Sequence, residues 1–393
     1  MSLAVSQRVQ RVKPSATLTV SALAAKLRAE GRDVIGLGAG EPDFDTPEHI
    51  KAAGIEAIRA GKTKYTNVDG TPELKAAIAD KFRRDNNLEY APDQILVSSG
   101  AKQTCYNVCA AVLNDGDEAI VPAPYWVSYP DMVKLADGAP VIVSASIEDG
   151  FKITPRALEA AITDRTRLMF LNSPSNPTGA AYTHAELAAL GEVLMAHPGI
   201  VVATDDMYEH IYWADAPFTS LADACPGLYN QVVTINGVSK CYAMTGWRIG
   251  YCGGPAEIIK AMKKIQGQST SNPCSVSQAA SVAALNGDQG CIGEMTVAFK
   301  ERHDYVVGAL NEIDGIDCAP GAGTFYAFPN CAGVIARKGL ADDAALCEML
   351  LNDAEVALVP GSAFGANGYL RLSFATGLDV LKEAISRITR TLA

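Results

Sequence analysis

The amino-acid sequence predicts an α/β protein with two domains. The large domain is predicted to be a doubly wound, mostly parallel sheet, because short apolar runs recur from about residue 93 to residue 236 and Ala/Leu-rich helical segments separate them. Strands that are apolar on both faces and joined by helices form parallel sheets covered on both sides. The two ends of the chain carry a different pattern, which predicts a smaller α+β domain built from both termini.

Six segments have the length and composition of buried strands. They are 94–99 (QILVSS), 118–122 (EAIVP), 140–145 (PVIVSA), 167–172 (RLMFLN), 200–204 (IVVAT) and 231–236 (QVVTIN). Thr154-Pro155 and Thr183 open two of the helices between them, since Thr is a favourable N-cap and Pro suits the first helical position.

The ends of the chain predict the smaller domain. Residues 14–31 form an Ala/Leu-rich helix pattern that ends at Gly31, and residues from about 295 predict a long helix, short strands and a final amphipathic helix. A chain of 393 residues is longer than a single core usually supports. We therefore expect a large domain at 48–294 and a discontinuous small domain at 1–47 plus 295–393.

The composition excludes several classes of protein. A net charge of −11 disfavours nucleic acid or an anionic membrane as the main partner. The ten cysteines contain no C-x-x-C pair and the histidines no H-E-x-x-H spacing, so no metal site is expected. The sequence has neither a signal peptide nor an apolar run long enough to span a membrane, which predicts a cytoplasmic protein.

Two short motifs indicate other chemistries. Ala60–Thr63 reads AGKT, but Glu56 occupies the place of the first glycine of a phosphate loop. Ser99 and Lys102 match the S-x-x-K pattern of serine acyl-enzymes, although the K-T-G partner motif is absent. The acyl-enzyme interpretation stays open as a rival at this point.

The residues after the predicted strands suggest a common site, because ligands of open parallel sheets bind at the carboxyl ends of the strands. A small-residue turn after the first run opens a helix, whose free N–H groups and positive dipole would hold a phosphate. The later runs are followed by an amide, a carboxylate and an amine, which together with the turn describe a pyridoxal phosphate site. These residues are Gly100, Ala101, Lys102, Asn176, Asp205, Tyr208 and Lys240.

The residue types suit this cofactor. A lysine amine can hold its aldehyde as a Schiff base, and desolvation would lower the pKa of Lys240 so that the neutral amine is available. A carboxylate such as Asp205 beside the ring nitrogen keeps the ring protonated as an electron sink. Arg248 has the planar fork that suits a phosphate, and Lys102 in a first helical turn opposes the macrodipole unless an anion binds there.

Several segments occur together, and in the same order, in a known family. They are KPSAT (13–17), GEPDFDTP (40–47), KYTNVDGTPELK (64–75), PYWVSYP (124–130), NSPSNPTG (172–179), DDMYEH (205–210), GVSKCYAMTGWRIG (237–250) and YLRLSFATG (369–377). On these segments the whole chain resembles the class I pyridoxal-phosphate-dependent aminotransferases of fold type I. It is most similar to the bacterial aspartate aminotransferases of subgroup Ib.

The resemblance implies the roles of the cofactor-binding residues. Lys240, Asp205 and Tyr208 would be catalytic, with Lys240 moving the proton and Asp205 pairing with the pyridine nitrogen. Trp126 would stack on the ring, and Tyr208 and Asn176 would contact its phenolic oxygen. The complete cofactor set would be Tyr65 from the second subunit of a homodimer, Gly100, Ala101, Lys102, Trp126, Asn176, Asp205, Tyr208, Lys240 and Arg248.

The resemblance also implies the substrate contacts and the reaction. Arg371 would hold the α-carboxylate beneath the backbone of Gly40, and Ser15, Thr17 and Lys102 would hold the distal carboxylate, with Trp126 and Asn176 also touching the substrate. The expected reaction converts L-aspartate and 2-oxoglutarate to oxaloacetate and L-glutamate by ping-pong kinetics through pyridoxamine phosphate.

Two local details accompany the resemblance. Gly237 stands where many relatives carry a phosphate-binding serine, so Ser239 is not assumed to take over that contact. The Asn176–Pro177 bond is expected to be cis.

Two alternatives to aspartate transamination remain. A transaminase of the same fold acting on prephenate or aromatic amino acids would share the cofactor machinery. A regulator that binds the cofactor without turnover would need a DNA-binding module, and the acidic chain leaves no segment for one.

Overall fold

The computed structural model describes residues 4–393. The strands in chain order are β1 (Ile35–Gly36), β2 (Ile95–Ser98), β3 (Glu118–Ala123), β4 (Ala139–Ser144), β5 (Thr166–Asn172), β6 (Val201–Asp205), β7 (Val232–Gly237), β8 (Gly250–Gly253), β9 (Tyr326–Ala327), β10 (Val356–Ala357), β11 (Val359–Pro360) and β12 (Leu370–Ser373).

The helices surround these strands. They are α1 (Gln7–Gln10), α2 (Ala16–Ala29), α3 (Glu48–Arg59), α4 (Pro72–Asn86), α5 (Ala101–Val112), α6 (Tyr129–Leu135), α7 (Pro155–Ala161), α8 (His184–Met195), α9 (Leu221–Ala224), α10 (Ala256–Ser269), α11 (Ser275–Asn286), α12 (Gly290–Asn311), α13 (Ala332–Lys338), α14 (Asp343–Asp353) and α15 (Leu378–Leu392). Short 3-10 turns lie at Pro92–Gln94, Pro226–Leu228, Thr245–Trp247 and Gly361–Phe364.

The central sheet has seven strands in the order β2-β8-β7-β6-β5-β3-β4. Strands β3 to β7 pair in parallel, and β8 runs antiparallel between β2 and β7. The predicted fold class is confirmed, and each of the six predicted runs forms a strand of this sheet. The sequence analysis missed β8, whose sequence GYCG contains two glycines that weaken the strand signal.

Alternate strand residues point to opposite faces of the sheet, and each face is covered by helices. Ile95 and Val97 of β2 join one apolar cluster with α4 and α11, whereas Leu96 joins another with α5 and α10. The helix start predicted at Thr154 is present, with its hydroxyl accepting from Ala157 N–H, and Thr183 forms a capping box with Glu186.

The N-terminal and C-terminal segments pair with each other. Strand β1 lies parallel to β10, and β11, β12 and β9 form a three-stranded antiparallel sheet. Leu37 packs into the cluster formed largely by α12, α14 and α15. The domain boundaries at 48–294 and at 1–47 plus 295–393 stay a prediction.

The cis prediction for Asn176–Pro177 was wrong. The cis peptide bonds of the described chain are Ala123-Pro124 and Ser173-Pro174. The chain leaves β5 at Ser173-Pro174, and the following turn is closed by hydrogen bonds from Gly179 N–H to the Ser175 carbonyl and from Ser175 N–H to the Ala180 carbonyl, 2.8 Å each. A trans Asn176–Pro177 bond fits inside this turn.

Among residues 4–393, no helix combines the length and the apolar character needed to cross a bilayer. All ten cysteines lie in this described range and are free thiols.

Candidate active site

A cavity of about 570 Å³ lies at the carboxyl ends of β5, β6 and β7, facing residues of β9 and β12. This is the edge of the sheet at which the sequence predicted the site. The predicted residues in its lining are Ser15, Thr17, Gly40, Ala101, Lys102, Trp126, Asn176, Asp205, Tyr208, Lys240, Arg248 and Arg371. The lining also contains Ser239, which was not assumed to bind phosphate, and residues that were not predicted: Leu18, Ser21, Ala39, Glu41, Val127, Asn172, Met207, Thr245, Gly246 and Tyr326.

Lys240 carries the amine of the cavity. It follows β7, and its Nζ donates a hydrogen bond of 2.6 Å to the carbonyl of Gly40. Burial lowers the pKa of Lys240 to about 8, with Glu41 opposing this change and Arg248 and Arg371 adding to it. About a tenth of the amine is therefore neutral, and thus nucleophilic, at pH 7.

Asp205 supplies the buried carboxylate at the end of β6 and is 7% exposed. Its Oδ2 accepts a hydrogen bond of 2.6 Å from the hydroxyl of Tyr129, and its Oδ1 accepts one of 3.3 Å from Met207 N–H. Burial raises the pKa of Asp205, whereas these two hydrogen bonds and the charge of Lys240 lower it. A cationic ring nitrogen would favour the ionised carboxylate further.

Asn172 fixes the loops on either side of Asp205. It pairs with Asp205 across β5 and β6, and its Nδ2 donates to the Asp205 carbonyl at 2.6 Å. Its Oδ1 accepts from Asn176 N–H at 2.8 Å. One half-buried amide therefore holds the Asn176 turn against the end of the neighbouring strand.

Arg371 enters the cavity from β12 and is 1% exposed. Its Nη2 donates to the Gly38 carbonyl at 2.6 Å, and its Nη1 donates to Asn176 Oδ1 at 3.0 Å. Its buried Nε makes no hydrogen bond with the described residues. An arginine held this way is suited to receive a planar carboxylate.

Two phenols lie beside Arg371. The hydroxyls of Tyr208 and Tyr326 are 3.0 Å apart, and burial raises the pKa of both. The guanidinium carbon of Arg371 lies 4.5 Å from the centre of the Tyr326 ring. The phenols are therefore neutral hydrogen-bonding groups at working pH.

The phosphate end of the predicted site is formed by the start of α5 and by Arg248. Gly100 precedes α5 with a φ of 87°, and a Cβ there would collide with the Arg248 guanidinium. Gly100 does not line the cavity. Because it has no side chain, the Arg248 guanidinium can lie against it beside Ala101. Arg248 also donates to the Thr245 carbonyl at 3.0 Å.

Gly237 has a structural reason that the sequence did not reveal. It pairs with Gly250 across β7 and β8, and a Cβ at Gly237 would lie 2.9 Å from Met207 Cε and 3.0 Å from the Ile249 carbonyl. A serine there would have to displace this packing. Ser239 lines the cavity two residues later, with its side chain buried.

The lining of the cavity also includes Lys102, Ser15 and Thr17. Lys102 Nζ lies 4.9 Å from the centre of the Trp126 ring, and burial followed by repulsion from Arg248 lowers the pKa of Lys102. Ser15 is the N-cap residue of α2, yet its hydroxyl makes no capping hydrogen bond. This hydroxyl is therefore not committed to the helix end.

Two predicted residues lie outside the lining for different reasons. Gly100 acts through its close approach to Arg248, as described above, whereas Tyr65 is 90% exposed on the surface of its own chain. Ser99 also lies outside the lining, with its N–H bonded to Gln103 Oε1 at 2.6 Å, so the serine of the S-x-x-K motif is not in the cavity.

The sequence analysis missed Tyr129, Asn172, Tyr326 and Glu41. Asn172 closes a predicted strand and so carried a positional signal. Tyr129 lies within the quoted PYWVSYP segment, but its direction toward Asp205 depends on α6. Tyr326 and Glu41 come from segments whose approach to the sheet is a tertiary feature.

The residues fit pyridoxal phosphate on three observations. The amine of Lys240 has a lowered pKa, Asp205 is a buried carboxylate in the same cavity, and the start of α5 meets an arginine across a glycine that admits no side chain. The arrangement supplies a nucleophile, an anion for a ring nitrogen and a cationic cup for a phosphate.

Comparison with known proteins gives consistent matches. The family model described as aminotransferase class I and II matches residues 32–388. A relative from Nitrosomonas europaea named aspartate/prephenate aminotransferase is 57% identical, covering 99% of each chain. A Rhizobium meliloti relative named aspartate aminotransferase is 53% identical, covering 98% of this chain and 95% of its own.

Two solved structures superpose on this chain over nearly its whole length. The crystal structure of the aspartate aminotransferase from Rhizobium meliloti superposes with a TM-score of 0.95 at 51% identity, covering 100% of this chain and 99% of that one. The Thermus thermophilus aspartate aminotransferase with maleate superposes with a TM-score of 0.93 at 41% identity, covering 99% and 100%.

Proposed function

This chain belongs to the class I and II aminotransferases, and we propose that it transfers the amino group of L-aspartate to 2-oxoglutarate, with pyridoxal 5'-phosphate as cofactor. The observation that carries the proposal is the composition of a single cavity. It combines the amine of Lys240, the carboxylate of Asp205 and two separate cations, Arg371 and Lys102, that suit a substrate with two carboxylates.

Each of these residues has a definite task. Pyridoxal phosphate, when bound, withdraws electrons from the α-carbon of the amino acid and so makes its proton acidic. Lys240 Nζ, as a neutral amine, would take the proton from the α-carbon and deliver it to the cofactor carbon that carried the aldehyde, and Asp205 would balance the positive charge of the ring nitrogen. Arg371 orients the α-carboxylate, while Trp126 and Asn176 narrow the space around the reacting carbon.

The distal carboxylate would be bound at the Lys102 end of the cavity. Lys102 lies over Trp126, and the uncommitted Ser15 hydroxyl and Thr17 line the same cavity. A cation and two hydroxyls there favour aspartate and glutamate over amino acids with apolar side chains, because an unpaired buried cation costs affinity.

Prephenate is a second candidate substrate. It also carries two carboxylates, and the relative from Nitrosomonas europaea is named for both aspartate and prephenate. A cavity of about 570 Å³ leaves room for a substrate larger than aspartate. We therefore include prephenate among the amino acceptors.

A homodimer in the cytoplasm completes the proposal. Tyr65 is 90% exposed, and Ile55 and Ile58 of α3 are also exposed apolar side chains. A second copy covering this face would explain them and would bring its Tyr65 to the phosphate end of the site. Equilibrium sedimentation should give a dimer, and a monomer at micromolar concentration would contradict this part.

The reaction is tested by single half-reactions. Purified enzyme loaded with pyridoxal phosphate is mixed with one amino donor at a time, and conversion of the cofactor to its amine form is followed by absorbance. We expect aspartate and glutamate to react and alanine to react poorly. The amine form should then be reconverted by 2-oxoglutarate, oxaloacetate and prephenate; no reaction with aspartate would overturn the proposal.

Two variants assign the roles. Lys240→Ala should fold but lose covalent attachment of the cofactor, detected by mass spectrometry after borohydride treatment, and nearly all turnover. Lys102→Ala should reduce the ratio of kcat/KM for aspartate to that for alanine, whereas Lys26→Ala, at an exposed position on α2, should leave the ratio unchanged. An unchanged ratio in Lys102→Ala would place distal recognition elsewhere.

A further inference from the structure

Glu41 is a carboxylate of the cavity lining that the proposed reaction does not use. It directly follows Gly40, whose carbonyl accepts the hydrogen bond from Lys240 Nζ at 2.6 Å. Its Oε1 accepts a hydrogen bond from the hydroxyl of Thr245, three residues before Arg248. An otherwise exposed carboxylate is thereby fixed to the wall of the cavity next to the reactive amine.

Hydrogen bonds also hold the other end of the segment that carries Glu41. The Thr46 hydroxyl donates to the Ala243 carbonyl at 2.7 Å, and Trp247 Nε1 donates to the Thr46 hydroxyl at 3.1 Å. In its middle, Arg302 donates to both oxygens of Asp43, at 2.7 and 3.0 Å. Residues 40–46 therefore form a strap with a fixed position over Lys240.

Two arginines disfavour the protonated form of Lys240, and the carboxylate of Glu41 offsets their effect. Burial lowers the pKa of Lys240, Glu41 and Asp205 raise it, and the charges of Arg248 and Arg371, which line the same cavity, lower it. Glu41 and Asp205 are the carboxylates of the lining within the described residues. The neighbouring phenols of Tyr208 and Tyr326 stay neutral because burial raises their pKa values.

The two carboxylates are not equivalent. Asp205 is engaged by Tyr129 and Met207, and in the proposed reaction it holds the cofactor nitrogen. Glu41 receives one side-chain hydrogen bond and faces no arginine at hydrogen-bond distance among residues 4–393. Its charge is therefore available to act on Lys240.

We propose that Glu41 is a positioning residue that, held by Thr245, keeps Lys240 basic enough to accept the substrate proton despite two adjacent arginines. The arginines are needed to bind anions, yet they weaken the base between them. An amine whose pKa falls far below the working pH accepts a proton poorly. The inference rests on the proposed function only in taking Lys240 as the amine that moves the proton.

The test measures the protonation of Lys240 directly. Full-length enzyme loaded with pyridoxamine phosphate, in which the lysine amine is free, is labelled with trace acetic anhydride over a series of pH values. Mass spectrometry then gives the labelling of the Lys240 peptide relative to Lys26, an exposed reference on α2. The midpoint of the curve reports the pKa of Lys240 without any turnover.

Four variants separate charge from structure. In Glu41→Gln the midpoint should fall by about half a pH unit, the effect of one nearby charge in a largely aqueous setting. Thr245→Val should lower it by less, since the charge remains but moves freely. Glu41→Asp should stay nearer to wild type than Glu41→Gln, and Glu48→Gln, an exposed carboxylate on α3, should not change it.

The outcomes are decisive in each case. A Glu41→Gln midpoint equal to that of wild type would overturn the proposal, and so would a rise. If Glu41→Gln gives no folded protein, an unchanged midpoint in Thr245→Val would overturn it. Failure of wild type to react with aspartate while the midpoints still shift would contradict the proposed function and leave this inference standing.

Discussion

Tyr129 shows how one unpredicted residue can determine the state of a predicted one. Its hydroxyl donates to Asp205 Oδ2 at 2.6 Å, and its ring stacks on Phe170 with centroids 4.5 Å apart. The hydroxyl thus favours the ionised form of Asp205, while the ring belongs to the core under α5 and α6. A Tyr129→Phe substitution removes the hydroxyl and keeps the ring, so it separates these two contributions.

We expect Tyr129→Phe to lower the rate of the aspartate half-reaction about tenfold, because a hydrogen bond to a charged group contributes about 1.5–3 kcal/mol and part of it acts on the transition state. Unfolding by urea should change little, since the stacked ring remains. Tyr125→Phe, at a half-buried tyrosine outside the lining, is the control. An unchanged rate in Tyr129→Phe would show that Asp205 does not depend on this bond.

Single residues were predictable where their position followed from a strand end. Asp205, Asn176 and Lys240 each follow an apolar run, and the carboxyl edge of a parallel sheet brings them together. Arg371 and Gly40 came from family resemblance. The sequence could not show that Tyr326 lies between them, because β9 reaches the cavity only through the pairing of β9 with β12.

Among the elements, β8 places the start of α5. Gly250 is so close to α5 that a Cβ there would collide with the backbone of Gly100 and Ala101. The same strand also pairs with β2 and β7. A pair of glycines, Gly237 and Gly250, therefore lets an antiparallel strand pass beneath the predicted phosphate cup.

We expect Gly250→Ala to weaken binding of pyridoxal phosphate at least tenfold and to lower the free energy of unfolding by about 1–3 kcal/mol, the usual cost of overpacking. Equilibrium dialysis and urea unfolding measure the two effects. Gly267→Ala in α10, where a Cβ meets nothing nearer than 3.9 Å, is the matched control. Normal cofactor affinity in Gly250→Ala would mean that the start of α5 does not hold the phosphate.

A buried ion pair links α4 to the turn after β6. Lys81 and Glu209 form it at 2% and 5% side-chain exposure, and Glu209 also accepts from Asn86 at 2.6 Å and from Asn236 at 2.8 Å. Burial raises the pKa of Glu209, but Lys81, His210 and the bond from Asn86 lower it more. Glu209 follows Tyr208 directly, so this pair anchors the turn that carries a predicted catalytic residue.

We expect Lys81→Met to lower the free energy of unfolding by about 3–5 kcal/mol, because it leaves a buried carboxylate without its cation. Lys51→Met, which breaks the exposed pair with Glu48 on α3, should cost no more than about 1 kcal/mol. Urea unfolding of both variants gives the comparison. Equal effects would show that Glu209 is protonated or hydrated in the fold.

Most helices and strands could be predicted from the periodicity of apolar residues. Those that could not have a physical explanation. The apolar runs of β2 to β7 exceed the minimum length of a buried strand, so their pattern was sufficient. Strand β8 and the two-residue strands β1, β10 and β11 form by pairing with distant segments. Such strands have too few residues to show an alternation.

For the whole molecule, stability should depend on pH through a buried histidine. His303 of α12 is 4% exposed; its Nε2 accepts from Gly321 N–H at 2.9 Å, and its Nδ1 lies 2.9 Å from Asp304 Oδ1. Burial lowers the pKa of His303, with Asp304 opposing and Lys300 assisting this change. Protonation of Nε2 would break the bond to Gly321.

The direction of this pH dependence follows from the linkage between proton binding and folding. Because the folded pKa lies below the ordinary value of 6.5, the unfolded chain binds more protons as the pH falls below 6.5, and the folded state loses stability there. The His303→Gln variant, whose amide oxygen can still accept from Gly321, should lose less stability between about pH 7 and about pH 5.5. Urea midpoints at both values test this, with exposed His184→Gln as control; equal slopes in His303→Gln and wild type would contradict it.

The rings on Arg371 have a consequence for the catalytic cycle. The guanidinium lies between Tyr326, at 4.5 Å, and Phe364, at 4.8 Å, so its conformational entropy is lost when the chain folds and not when a ligand arrives. In a ping-pong cycle, an amino acid leaves as an oxo acid and a different oxo acid enters, and both carry the α-carboxylate that we propose Arg371 to bind. If Arg371 binds this group, an arginine that need not rearrange would treat every incoming molecule alike, and selection among them would fall to the other lining residues.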